Sequence, residues 1–244
     1  MKTVFINCSP KKRFCASAYF LALQRLFVTG EKVTEKLRTP SDHSRILEQV
    51  RDAQAVVFGL PLYVDGIPSH VLRFMEEMEV YCRQNDLHLS LYCIANNGFI
   101  EGRQNEPLMQ SFEHFCSRAG LIWGGGVGIG GGVMLNVTRI LFIVDIVLLL
   151  VNTVLSVVHT GNFFPKDGWI SFGESAALLL YFNLGVLFYL IRMGSYIRKG
   201  SCSGKKYTRI LIPSFIFILF ADAFFIIISF FEGGLFRGWL AKKE

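Results

Sequence analysis

AVVFGLPLYVDGIPSHVLRFMEEM, residues Ala55–Met78, is the stretch that decides the fold. Ala55–Phe58 is a short apolar run of the kind that fills a strand buried on both faces. Gly59 and Pro61 end that strand. The loop Leu60–Pro68 contains two prolines, which fix φ and restrict the residues before them, so it is not helical. Ser69 suits an N-cap, and Val71, Phe74, Met75, Met78 and Cys82 then recur at helical spacing to give one apolar face. A strand thus runs into a stiff loop carrying an aromatic, Tyr63, and then into a helix. In an open α/β sheet, ligands sit at this kind of turn, beyond the carboxyl ends of the strands.

The same alternation extends both ways from this unit. Val4–Asn7 is an apolar strand, followed by the loop Cys8–Ser17 and a helix with Phe20, Leu23 and Phe27 on its buried face and Gly30 at its C-cap. Val33–Leu37 is a second strand. Ser41 or Asp42 caps a short helix with Ile46, Leu47 and Val50 on one side. The helix from Ser69 runs to about Gln84, and His88–Ala95 is the fourth strand. Asn105 and Pro107 open a helix whose stripe is Leu108, Phe112, Phe115, Cys116 and Ala119, with Gly120 ending it. Leu121–Ile129 is the fifth strand. Strands alternating with helices predict an α/β fold, a doubly wound parallel sheet of five strands. A fifth helix should follow the fifth strand, but GGGVGIGGGVMLN leads straight to Arg139 and an apolar run. One sheet face is then left for a second subunit in a homodimer, for the membrane surface, or for the near end of that apolar run.

Composition divides the chain at Asn136. Of 244 residues 52% are apolar, and the mean hydropathy is +0.41. Residues 1–136 carry 14 Lys+Arg against 13 Asp+Glu, a balanced soluble composition, whereas 137–244 carry 11 against 6 among long Phe, Ile, Leu and Val runs. The +6 net charge lies mostly in the second part, so it does not point to nucleic acid. Three apolar segments, 140–158, 175–191 and 210–231, have 19, 17 and 22 residues. At ~1.5 Å per residue the shortest covers about 25 Å, close to a ~30 Å hydrocarbon core, so a bundle of three transmembrane helices and a lipid bilayer partner are expected. The loop 192–209 holds Arg192, Arg198, Lys199, Lys205, Lys206 and Arg209 with no acid. The loop 159–174 has Lys166 as its one Lys or Arg, and basic loops stay inside. This predicts a multi-pass protein of the cell membrane with a cytoplasmic domain over 1–136 and the C-terminus outside. The tail bases Arg237, Lys242 and Lys243 run mildly against that orientation. No secretory signal pattern opens the sequence. The six cysteines, without C-x-x-C spacing, read as reduced cytosolic thiols.

The segment around Tyr63 resembles the flavodoxin-like superfamily, in particular its NAD(P)H-dependent FMN reductase branch. The matching residues are Pro61, Tyr63, Pro68, Ser69 and Phe74. The resemblance covers about residues 1–135 and implies a flavodoxin-like sheet with FMN held by three loops. In it, Pro61, Leu62, Tyr63, Val64, Asp65 and Gly66 lie against the flavin ring. The loop Ser9–Ser17 is similar to the family's Ser-Pro-Lys/Arg phosphate loop. It joins a strand to a helix N-terminus, where free N–H groups favour an anion. Ser9 and Ser17 supply hydroxyls, and Lys11, Lys12 and Arg13 supply charge. Two departures stand out: Cys8 replaces a common glycine, and Phe14-Cys15-Ala16 replaces a Gly/Asn-rich stretch. Basic side chains here would also suit anionic head groups. Asn96, Asn97, Gly98 and Phe99 form the third loop, whose backbone in that family meets the ring's polar edge.

Other motifs are weaker. Gly126–Gly131 fits G-x-G-x-x-G, but a membrane span follows it and no βαβ unit, so it reads as a flexible connection. His70 reads as solvent-facing, and no His, Cys, Asp or Glu cluster suggests a metal. Asp145 and Asp222 lie within spans, where a charge is costly. Asp145 is expected to snorkel, and Asp222 to pair with Asn152 or, failing that, Asn183. The resemblance implies an oxidoreductase reduced by NAD(P)H or a protein donor, passing electrons to a quinone, another flavin or a protein redox partner. The flavin carries that chemistry, so no side chain is expected to be catalytic. The alternative is a non-enzymatic flavodoxin-like interaction module on a membrane anchor.

Overall fold

The computed structural model describes every residue except Arg13, Val64 and 232–244. One compact unit spans Met1–Ile210, and a second begins at Leu211. The first unit contains strands β1 (Lys2–Asn7), β2 (Glu31–Lys36), β3 (Ala55–Pro61), β4 (Ser90–Asn96), β5 (Ile122–Gly130) and β6 (Lys205–Arg209). Its helices are α1 (Ala16–Leu26), α2 (His43–Arg51), α3 (Ser69–Gln84), α4 (Glu106–Ala119), α5 (Gly132–Thr160) and α6 (Lys166–Lys199). Helix α7 (Ser214–Phe231) belongs to the second unit.

The strands form one sheet in the order β2-β1-β3-β4-β5-β6, with every neighbouring pair parallel. The first five follow the flavodoxin-like order. The sheet has six strands where five are expected. The extra strand, KKYTR, comes from the basic loop 192–209 and pairs with β5 from Gly126↔Lys205 to Gly130↔Arg209. Three of that loop's bases are therefore strand residues. Lys205 is also paired with Glu113 on α4, Nζ to Oε2 at 2.5 Å.

Alternation along the strands sorts the core into two layers. Val4 and Ile6 of β1, Val56 and Phe58 of β3, and Leu91 and Cys93 of β4 pack with the apolar stripes of α2, α3 and α4. Phe5, Val57, Tyr92, Ile94, Val127 and Ile129 are equally buried on the opposite face. There α1 and the last half of α6 cover the sheet. The stripes predicted on α2, α3 and α4 are all buried. That of α1 is rotated: Tyr19, Phe20, Leu21 and Gln24 are buried, and Phe27 is the C-cap. Gly30 sits in the turn to β2, where a Cβ would meet the Met1 carbonyl oxygen. Nor does Gly59 end its strand. β3 continues through Pro61, and a Cβ at Gly59 would lie 2.5 Å from Leu21 Cγ. The glycine is there to seat α1.

α6 fills the place of the absent fifth helix, and this changes the expected spans. Its 34 residues would extend about 51 Å, well beyond a ~30 Å hydrocarbon core. Asn183, Val186, Leu190, Met193, Gly194 and Ile197 are buried on the sheet face, so the segment 175–191 is only partly free to meet lipid. Tyr92 Oη donates to the Ser201 carbonyl at 2.9 Å, just past the helix end. Each fully buried apolar side chain contributes about 1.5–3 kcal/mol. Four of them on α6 therefore matter on the scale of a domain's ~5–15 kcal/mol stability. α5 and α6 form an antiparallel hairpin. Both contain 18-residue stretches long and apolar enough to cross a membrane, with mean hydropathy 2.7 and 1.8. The third expected span, 210–231, starts later, because Ile210 is buried beside the sheet and α7 begins at Ser214. The tail bases Arg237, Lys242 and Lys243 lie outside the described residues.

Two polar residues of the expected spans find other partners. Asp145 accepts a 2.6 Å hydrogen bond from Ser175 Oγ across the hairpin, so it is paired and does not snorkel. Asn183 is engaged by Tyr19, whose Oη donates to Oδ1 at 3.0 Å. Asp222 is exposed on α7. All six cysteines are free, and Cys202 alone among them is exposed.

The docking of α6 has a direct test. A Cβ at Gly194 would lie 2.5 Å from the Phe27 carbonyl oxygen and 2.7 Å from Phe27 Cβ. Gly194→Val should cost about 1–3 kcal/mol through overpacking. At ~2–4 °C per kcal/mol this lowers the melting temperature by several degrees. An unchanged melting temperature would contradict the docking.

Candidate functional site

Three loops meet at the C-terminal edge of the sheet around a cleft of about 100 Å³. The first joins β1 to α1. Its shape is fixed by local bonds: Asn7 Oδ1 accepts from the Ser9 N–H at 3.1 Å, and Ser9 Oγ from the Lys11 N–H at 3.4 Å. Arg38 Nη2 donates to the carbonyls of Lys11 (2.8 Å) and Lys12 (3.2 Å), a support the sequence does not announce because Arg38 follows β2. His70 is not solvent-facing. Its Nε2 lies 3.0 Å from the Cys8 carbonyl oxygen, which fixes Nε2–H as the donor and ties α3 to this loop. Burial, and after it the nearby Cys93 thiol, holds the Cys8 thiol well above its ordinary range, so Cys8 is a protonated structural thiol.

The second loop leaves β3. Leu62 N–H donates to the Asn96 carbonyl at 2.8 Å, and Tyr63 and Gly66 exchange backbone bonds of 3.2 and 3.0 Å in a tight turn. Tyr63 remains 41% exposed. Burial of its inner part, then the Cys15 thiol, raises its phenol pKa. Ser69 is the first residue of α3, and Pro68 occupies the N-cap.

The third loop leaves β4 and holds the other two. Asn96 Nδ2 donates to Ser17 Oγ and to the Leu60 carbonyl, both at 3.0 Å, so one buried side chain at the end of β4 ties together the start of α1 and the end of β3, from which the other two loops spring. Asn97 Nδ2 donates to the Glu101 carbonyl at 2.9 Å, while its Oδ1 is buried without a partner. Glycines bring the next elements close. A Cβ at Gly130 would meet the Ile100 carbonyl oxygen, and one at Gly132 would lie 2.9 Å from Asn96 Cβ. The stretch Gly126–Gly131 is therefore not a flexible connection but strand β5 and a tight entry into α5.

Of the predicted site residues, Ser9, Lys11, Ser17, Pro61, Leu62, Tyr63, Asn96, Asn97 and Gly98 line this cleft. Lys12 and Gly66 are absent from the lining, and Arg13 and Val64 lie outside the described residues. Asp65 and Phe99 instead line a wider, more open cleft of about 630 Å³ beside Arg103, Gln104 and Gln110. The lining also includes Phe14, Cys15 and Ala16, and Val133 and Asn136 from the start of α5. Asn136 Nδ2 donates to the Phe14 carbonyl at 2.6 Å, and its own Oδ1 is buried without a partner. A residue preceding an apolar run carries no sequence signal for such a role.

The cleft combines two kinds of chemistry. The N-terminus of α1 has no side-chain cap, and the Ser9 and Ser17 hydroxyls and Lys11 line the cleft with it, a set suited to an anion. Asn97 of the third loop and Asn136, which is bonded to Phe14 of the first, also line it, each with a buried carboxamide oxygen that has no partner. Pro61, Leu62, Tyr63 and Val133 add an apolar wall. Among the described residues, no group of three or more His, Cys, Asp or Glu side chains could hold a metal ion.

No protein-family model and no curated protein matches the chain. Solved structures do. The Trp repressor binding protein from Bacillus subtilis is 20% identical with a TM-score of 0.44, covering 51% of this chain and 85% of that one. An NAD(P)H:quinone oxidoreductase from Methanothermobacter marburgensis is 14% identical with a TM-score of 0.45, covering 57% and 92%. An FMN-dependent NADH-azoreductase from Bacillus anthracis, in complex with FMN, is 14% identical with a TM-score of 0.36, covering 54% and 88%.

Proposed function

We propose that this chain is an FMN-binding oxidoreductase, reduced by NAD(P)H and anchored in the bilayer. The observation that carries the reading is the convergence of the three loops. An anion-suited set and two unpartnered acceptors share one cleft at the sheet edge where doubly wound folds bind ligands. Ser9, Lys11 and Ser17, with the first N–H groups of α1, would hold the phosphate. Leu62 and Tyr63 would hold the ring, and Asn97 would accept from a ring or ribityl donor. The bound flavin supplies the hydride and electron transfer, toward a quinone, another flavin or a protein partner. The protein's residues bind, orient and shield it. α5, α6 and α7 serve as the spans, and the sheet domain is cytoplasmic.

A second reading is a non-enzymatic interaction module. The cleft's volume of about 100 Å³ is below the ~300–1,000 Å³ of ordinary ligand pockets. Phe14 also stands with φ of +51°, a region bulky residues rarely adopt, where a phosphate loop would favour glycine.

Flavin titration separates the two readings. Full-length protein in detergent should quench FMN fluorescence on binding. Lys11→Ala should weaken FMN by about 10–100-fold, the range of a charged hydrogen bond, and leave riboflavin, which lacks the phosphate, unaffected. Tyr63→Ala should weaken both. No binding by the wild-type chain would leave the module reading.

Topology has its own test. Because β6 pairs with β5, the exposed Cys202 must lie on the domain's side of any membrane. In intact cells Cys202 should be protected from an impermeant thiol reagent, and a Gly161→Cys variant should be labelled between α5 and α6. Equal labelling of both would take the hairpin out of the membrane. The reverse pattern would place the domain outside.

A further inference from the structure

We infer that Asn136, in the second turn of the apolar helix α5, is a ligand-binding residue, and that the ligand brings hydrogen-bond donors to this cleft. The inference rests on the flavin reading and adds to it a residue outside the three loops. The first observation is the orientation of the carboxamide. Asn136 Nδ2 must face the Phe14 carbonyl, its 2.6 Å partner, because a carbonyl can only accept. The Oδ1 is thereby fixed as the other atom. It is buried, in a residue only 8% exposed, and has no partner. The second observation repeats the first on another element. Asn97 is 3% exposed, its Nδ2 is committed to the Glu101 carbonyl, and its Oδ1 is also unpartnered.

Buried acceptors without partners are rare, because each forfeits its hydration. Others lie elsewhere in the fold, on Gln24 and Asn105 among them, but these two line one small cleft and so define the chemistry a ligand there would have to bring. An anion offers only acceptors and cannot satisfy them. A neutral donor can, such as a ring imide N–H or a polyol hydroxyl. Asn136 therefore belongs with the part of the ligand that FMN and riboflavin share, and the phosphate stays with Ser9, Lys11 and Ser17.

Asn136 also has a structural task to be separated from this one. Its bond to the Phe14 carbonyl helps to hold Phe14 at φ +51°, where a non-glycine residue is strained. Removing Asn136 could disturb the loop and weaken binding indirectly. Glycine adopts that φ freely, so in a Phe14→Gly background the loop no longer needs the tether.

The experiment is a double-mutant cycle on the full chain in detergent, titrated with FMN and with riboflavin. Asn136→Ala should weaken both flavins by the same factor, about tenfold. The same factor should separate Phe14→Gly from the Phe14→Gly/Asn136→Ala double variant. That comparison also serves if Asn136→Ala alone folds poorly. A penalty that vanishes in the Phe14→Gly background would make Asn136 a tether only and overturn the inference. So would a penalty confined to FMN, or none at all. Wild-type protein that binds neither flavin would instead remove the functional reading, and the inference with it.

Discussion

A parallel sheet must be covered on both faces, and here one face is covered by the returning limb of an apolar hairpin. The rest of the molecule follows from that packing. Val186, Leu190, Met193 and Ile197 of α6 close over β5 and β6 beside α1. Close approach requires small residues at the crossings. A Cβ at Gly185 would lie 2.5 Å from Thr208 Oγ1, and one at Gly194 the same distance from the Phe27 carbonyl oxygen. The chain after α6 is thereby brought to the sheet edge, where KKYTR adds the sixth strand. The hairpin is thus structurally part of the α/β domain, not a separate anchor joined by a linker.

The same constraint positions the site. α5 can leave β5 without a loop only because Gly130, Gly131 and Gly132 let it pass close to the third loop. Gly131 has φ of +69°, and its N–H reaches the Phe99 carbonyl at 2.5 Å. The first turns of α5 then stand beside the cleft, with Val133 against Gly98 and Asn136 against Phe14. One turn further, the Arg139 guanidinium lies 5.0 Å from the Tyr19 ring centroid, and Tyr19 bonds Asn183 on α6. A continuous set of contacts therefore joins the cleft to both limbs of the hairpin.

Much of this was legible in the sequence, and the omissions share a cause. The strands, the stripes of α2, α3 and α4, and the three loops are local patterns, so apolar runs, prolines and caps revealed them. β6 has no apolar run, since it is the edge strand and its side chains are Lys, Tyr, Thr and Arg. The docking of α6 was hidden because Val, Leu and Ile suit lipid and a sheet face equally. The available signal was the spacing of Asn183, Val186, Leu190, Met193 and Ile197, a stripe with a polar residue and two glycines near it. Asn136 and Arg38 could not be found from the chain alone. Each acts on a loop far away in sequence, and only the fold brings them together.

The central claim, that the hairpin's returning limb and β6 are integral to the sheet, is best tested by native-state hydrogen exchange on the full chain. Amides of residues 183–199 and those amides of β6 that bond β5 should exchange as slowly as those of β3 and β4, through global unfolding alone. If those two segments exchange orders of magnitude faster while β1–β5 stay protected, α6 is a detachable tail and the account is wrong.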